Sequence, residues 1–164
     1  MNTAVTLVLA LPLLPVDVLG DTPIPAINQA TRDQIGWPAY TREVAAAYAA
    51  LPESDRAKTV IVTGNYGEAG ALDRYGPDYR LPPPIYSGQN ELYEYGPPPE
   101  AATVAVAVGL PLPYLQARFG SCAAAGVLDN GVGVDNEEQG RIIAVCRDPV
   151  GGWAAAWPRF QHFD

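Results

Sequence analysis

The stretch from Thr59 to Gly76 reads TVIVTGNYGEAGALDRYG, and its interpretation decides the fold. The opening run, Thr59-Val60-Ile61-Val62-Thr63, is short and β-branched throughout, the signature of a buried strand. Gly64 then permits a tight turn, and Asn65 carries a side chain suited to cap a helix. Glu68 stands at capping-box spacing from Asn65, where its carboxylate can reach back to the N–H of the cap. Gly67, Ala69, Gly70 and Ala71 keep the helix thin, so its axis can approach a sheet closely. Gly76-Pro77 is expected to close the helix, with the glycine left-handed and the proline forbidding another turn. Strand, tight turn and helix in that order set the helix N-terminus over the C-terminal edge of a sheet. In open α/β folds ligands bind at that edge.

The flanking sequence extends the alternation in both directions. Trp37-Pro38 starts a helix with proline expected at its first position, Val44, Tyr48 and Leu51 give it an apolar face, and Leu51-Pro52 stops it. Downstream, Ile85-Tyr86 is a very short strand opening onto Ser87-Gly88-Gln89-Asn90, and Ala102 to Val108 is a third strand. Pro113 to Phe119 suits a short helix, Ser121 to Leu128 and Arg141 to Cys146 suit strands, and Trp153 to Phe160 suits a last helix interrupted by Pro158. This order predicts an α/β fold, a three-layer sandwich on a mostly parallel sheet of about five strands. The last two strands can form an antiparallel edge hairpin, which would bring Cys122 and Cys146 near each other. Residues 1–20 form an apolar lead-in, 21–36 an extended proline-punctuated linker, and 37–164 the α/β domain.

Composition narrows the function. Net charge is −8, and Lys58 is the only lysine, so the chain cannot neutralise a run of phosphates and nucleic acid is excluded as a partner. Apolar residues make up 48% and charged ones 17%, a globular balance. Two cysteines lack the companions of a zinc site. They read either as two buried thiols or as a disulfide formed in an oxidising compartment. Ala4 to Leu19 is almost wholly apolar but too short to span a bilayer, and it lacks the basic start and small-residue cleavage site of a signal peptide. Two readings remain for it, the tail of a transmembrane helix that begins upstream and a buried element of the domain.

Few residues can carry chemistry. His162, the only histidine, follows the last helix and is expected at the surface, so a Ser-His or Cys-His pair is not anticipated. Gly64, Gly67 and Gly70 are spaced GxxGxxG, unlike a dinucleotide fingerprint, and no P-loop lysine follows. They read as turn and packing residues, or alternatively as a backbone cradle for a phosphate or for sugar hydroxyls. Glu68 is assigned to the cap, and Asp73 to an ion pair with Arg74 or Arg80. Asp129 to Gly140, DNGVGVDNEEQG, lacks calcium-loop spacing and reads as a solvated acidic loop, with a calcium site as the alternative. Tyr86, Tyr93 and Tyr95 beside Gln89, Asn90 and Glu91 form a carbohydrate-type surface, with packing under the proline run as the competing role. The ligand groove is expected between the two segments, at Asn65, Tyr66, Gly67, Glu68, Ser87, Gln89, Asn90, Tyr93 and Tyr95.

Taken together, GWPAYTREVAAAYAALP, TVIVTGNYGEAGALDRYGP, IYSGQNELYEYGPPP, DNGVGVDNEEQG and the closing WPRFQH resemble one family. They are similar to the C-terminal extracytoplasmic domain of bacterial polytopic membrane glycosyltransferases of the protein O-mannosyltransferase-like class, related to the aminoarabinose transferases. The chain departs from that pattern at Gln89, where relatives carry histidine, and at Glu91, Tyr93 and Tyr95. The resemblance implies a non-catalytic domain at the extracytoplasmic face of the cell membrane, tethered to the membrane domain of a parent transferase. Its ligand would be the polyprenyl-phosphate sugar donor or the glycan or protein acceptor. It implies no catalytic residue, metal ligand or cofactor in this chain, and any divalent metal would belong to the parent enzyme. The alternatives are a stand-alone extracytoplasmic carbohydrate-binding protein and, against the glycine spacing, a small nucleotide-using enzyme.

Overall fold

The computed structural model describes residues 14–163. Strand β1 is Thr59–Thr63, buried along its whole length as its β-branched run requires. Strands β2 (Ile85–Ser87) and β3 (Val104–Val108) pair with it on either side, both parallel. Strands β4 (Phe119–Val127) and β5 (Ile142–Pro149) complete a five-stranded sheet of order β2-β1-β3-β5-β4, with β5 antiparallel to both neighbours. Cys122 and Cys146 sit opposite each other in the β4–β5 ladder and are joined by a disulfide.

Two cores form because successive residues of a strand point to opposite faces. On one face Val104, Val106 and Val108 meet Tyr40 and Val44 of helix α1 (Trp37–Ala49) and Leu72 of helix α2 (Tyr66–Tyr75). On the other, Ala105 and Ala107 meet Leu115 of helix α3 (Leu112–Gln116) and Trp153 of helix α4 (Trp153–Ala156). That second core is dominated by rings, with Phe119, Trp153, Trp157 and Phe160 in mutual contact. The result is an α/β fold with helices on both faces of the sheet, as the alternation predicts.

Two expectations are corrected. Gly76 keeps a right-handed φ of −57° and the chain tightens into a 3-10 turn at Gly76–Tyr79, with Arg80 taking the left-handed φ of 59°. Proline blocks a helix interior but suits the first residues of a new turn, so Gly76-Pro77 continues the helical path. The glycine serves space instead, since a Cβ there would lie 3.3 Å from Leu81. Residues 21–32 are not extended, because Ile24–Ile27 and Gln29–Arg32 are single helical turns, the second capped by Asn28. Residues 4–13 of the apolar lead-in lie outside the described residues; Val16–Leu19 is one helical turn. Among the described residues no helix is long and apolar enough to cross a membrane.

Candidate functional site

The turn after β1 is built as a closed set of hydrogen bonds. Asn65 Oδ1 accepts from the Glu68 N–H at 2.8 Å, while Glu68 Oε2 accepts from the N–H groups of Gly64 at 2.7 Å and Asn65 at 3.1 Å. Tyr66 N–H is taken by Gln89 Oε1 at 2.7 Å. The amides that could have cradled a phosphate are thus mostly satisfied from within. The turn-and-packing reading of the glycines therefore holds at Gly64, where a Cβ would stand 2.9 Å from the Gly109 backbone. Gly109, ending β3 with φ of 74°, is tighter still: a Cβ there would come within 2.2 Å of both Glu68 carboxylate oxygens.

Glu68 therefore lies buried between the ends of β1 and β3. Burial raises its pKa to about 7, the two backbone N–H bonds oppose the rise, and the nearby Glu138 and Glu137 carboxylates add to it. Asp73 is exposed and, among the described residues, makes none of the expected ion pairs with Arg74 or Arg80.

His162 is not a free surface residue. Its Nε2 lies 2.8 Å from the Gly64 carbonyl oxygen and its Nδ1 lies 2.8 Å from that of Phe160. The backbone joins in, with His162 N–H donating to Gly88 O and Asn90 N–H to His162 O, a short parallel bridge at Gln89. The segment around His162 thus runs beside Gly88 to Asn90, just past β2, and meets the Gly64 turn, a contact across 98 positions that no local spacing announces.

Two clefts open on either side of the Gly64–Gly67 turn and share Asn65, Gln89 and Glu137. The first, of about 450 Å³, is bounded by Asp33, Trp37, Tyr66, Gly67, Glu137 and Glu138. Trp37 is fixed there by its Nε1–H donating to Asp33 O at 2.9 Å and by an edge contact with Tyr40, whereas Tyr66 is 66% exposed at the rim. Glu138 is buried, which raises its pKa, with Glu137 and Asp33 reinforcing the rise. The second cleft, of about 400 Å³, is bounded by Tyr114, Arg118, Arg141, Arg159, Gln161 and His162.

Of the residues anticipated from sequence, Asn65, Tyr66, Gly67 and Gln89 meet at the first cleft. Glu68 lies beneath it, and Ser87 is buried with its Oγ accepting from Gln89 N–H. Asn90 adopts a left-handed φ of 49° next to the His162 bridge. Tyr93 stacks on Trp157 with rings 6° from parallel, so it packs the second core, and Tyr95 is 85% exposed and lines neither cleft.

The stretch Asp129 to Gly140 is corrected as well. It is solvated only in part: Asp129, Asp135 and Glu137 are exposed, whereas Val134, Asn136 and Glu138 are buried, and Asn136 Nδ2–H donates to Ile35 O at 3.0 Å. Folding back onto residues 33–37 is what carries Glu137 and Glu138 into the site. Among the described residues no group of three His, Cys, Asp or Glu side chains could hold a metal ion. Trp37, Arg118, Arg141 and Arg159 were not anticipated as site residues.

Chemically the first cleft offers flat rings beside carboxylate and amide oxygens, a surface suited to polyhydroxylated ligands. Among the described residues, both His162 ring nitrogens face backbone carbonyls, and both cysteines are in the disulfide. No family model, curated protein or solved structure matches the chain.

Proposed function

We propose that this chain is a non-catalytic carbohydrate-binding domain serving a membrane glycosyltransferase at the extracytoplasmic face. In this role it holds the sugar of a polyprenyl-phosphate donor, or of the acceptor, close to chemistry performed by the parent enzyme's membrane domain. The observation that carries the reading is the cleft at the C-terminal edge of the parallel strands. There the Trp37 and Tyr66 rings stand beside Asp33, Glu137 and Glu138. Aromatic faces stack on the C–H faces of sugars while carboxylates and amides accept from hydroxyls, which suits this lining better than a purely apolar ligand. The Cys122–Cys146 disulfide supports an oxidising location. The tie to a transferase rests on the family resemblance of the sequence.

The test is a nuclear magnetic resonance titration with neutral mono- and oligosaccharides, following the Trp37 indole N–H. Sugar is expected to shift that resonance, and Tyr66→Ala, at an exposed position, is expected to weaken binding about tenfold, the loss of one stacking contact. In the full-length transferase the same substitution should lower transfer without lowering expression. Saccharide binding that Tyr66→Ala leaves untouched, in a folded variant, would overturn the reading.

A further inference from the structure

The second cleft has the opposite character. Three guanidinium groups, from Arg118, Arg141 and Arg159, line it together with His162 and Tyr114, against the single carboxylate of Glu137. The chain has only ten basic residues and a net charge of −8, so three arginines in one concavity are a local reversal of sign. A cleft lined by one sign concentrates the field and draws in the opposite ion.

The three arginines are not equivalent. Arg118 is a brace: its Nε–H and Nη2–H donate to Arg159 O at 3.0 and 2.7 Å, its Nη1–H donates to Tyr114 O at 2.9 Å, and it lies 3.3 Å from the Tyr114 ring centroid. Among the described residues the Arg141 side chain donates only its Nε–H, to Glu137 O at 3.0 Å, which leaves the outer edge of its guanidinium unused. Arg159 is exposed, and among the described residues neither it nor Arg141 lies within 4.0 Å of a carboxylate. Two guanidinium forks therefore remain available beside one fixed positive charge, the arrangement that binds phosphate oxygens in pairs. The helix N-terminus at Tyr66 is a poor competitor for this role, because the amides of Asn65, Tyr66 and Glu68 already bond to Glu68, Gln89 and Asn65.

We infer that this cleft, through Arg141 and Arg159 steadied by Arg118, binds the phosphate ester of a phosphorylated sugar whose glycosyl part occupies the neighbouring cleft at Trp37 and Tyr66. The inference rests on the saccharide reading for the glycosyl part and stands on the arginines for the phosphate. Asn65, Gln89 and Glu137 border both clefts, so the basic and the aromatic side adjoin along one shared rim that a single ligand would straddle.

Calorimetric titration with inorganic phosphate, a neutral hexose and the same hexose as its 1-phosphate tests this, with sodium chloride at matched ionic strength as the control. The probe variant is the double substitution Arg141→Gln/Arg159→Gln, at exposed positions, since replacing Arg118 would remove the brace on the last turn. The phosphorylated hexose is expected to bind at least tenfold more tightly than the neutral one, and the double variant to lose that gain while keeping neutral-hexose affinity. Tyr66→Ala should weaken both hexoses and leave inorganic phosphate unaffected. Phosphate that binds without hexose binding would overturn the saccharide reading and uphold the phosphate site. Phosphate acting no differently from chloride, or bound equally by the folded double variant, would overturn the site. Co-sedimentation with phosphatidylcholine vesicles, with and without phosphatidic acid, then assigns the ester: retention on the acidic vesicles points to a lipid-linked phosphate, and binding of the soluble ester alone to a free sugar phosphate.

Discussion

Strands β2, β1 and β3 run parallel and bring Ser87, Gly64 and Gly109 to one edge of the sheet, whereas β5 and β4 run against each other and are tied by a disulfide. In the parallel half every strand exits at the same edge, so turns and loops crowd there and enclose the two clefts. In the antiparallel half the exits alternate, and that half contributes to the site only through Arg141 and the segment that precedes it. The contrast teaches that binding geometry and mechanical closure are divided between two halves of one sheet. A substitution at the parallel edge should disturb both, and one in the hairpin should disturb stability alone.

Gly109→Ala is expected to have the largest effect. It forces a left-handed alanine and drives a Cβ into the buried Glu68 carboxylate. Backbone strain of about 1–2 kcal/mol and overpacking of about 1–3 kcal/mol add up to a loss of several kcal/mol in chemical denaturation. Ligand binding in both clefts should fall with it. A variant as stable as the parent would mean that the two strand ends are not the shared floor of the site.

Cys122→Ser/Cys146→Ser comes next. The bridge closes a loop of sequence separation 24, for which chain entropy gives about 3 kcal/mol. Thermal denaturation should report that loss, and saccharide and phosphate affinities at a temperature where the variant is folded should stay unchanged. Altered affinities would show that the hairpin shapes the clefts after all.

Titration of Glu68 ranks third. Its carboxyl titrates near 4.5 when unfolded and at about 7 in the fold, so folding favours the protonated form. The stabilisation is fully present below pH 4.5, declines as pH rises, and is gone above pH 7, a change of about 3 kcal/mol at most. The melting temperature should accordingly fall on the order of 5 °C between pH 5 and 7.5. Glu68→Gln keeps a capping side chain and should flatten that slope. A parallel slope in both proteins would remove Glu68 as its source.

Tyr40→Phe is expected to matter least. The Tyr40 hydroxyl is buried without a hydrogen-bond partner among the described residues, so its removal should leave stability equal or raise it by about 1 kcal/mol. A clear loss in calorimetry would reveal that the hydroxyl is engaged near Glu68 and Glu138, whose charges it faces.

What the sequence disclosed and what it withheld follow from the range of the interactions. The β-branched run of β1 and the Asn65–Glu68 cap are written in neighbours and form as read, while α1 starts one residue before its proline, at Trp37. The helix ending at Gly76 was misjudged because a glycine followed by proline serves a stop and a restart equally well. His162 escaped notice since its partner, the Gly64 carbonyl, is distant in sequence and carries no side-chain label. The arginines of the second cleft come from the end of α3, the start of β5 and the last turn, so only the folded chain makes them a group. The tyrosines show the opposite failure. Tyr93 belongs to a ring stack centred on Trp157, an association that composition cannot distinguish from a ligand surface.

The His162 contact has a practical corollary. Because the imidazole is clasped against the first turn and lines the second cleft, residues following it emerge beside that cleft, and Phe163 is 74% exposed. An affinity handle fused at that end would hang over the opening like a curtain and compete with any ligand under study. Purification tags, fluorophores and surface-immobilisation chemistry are better attached along the outer strand β4, on the far side of the hairpin.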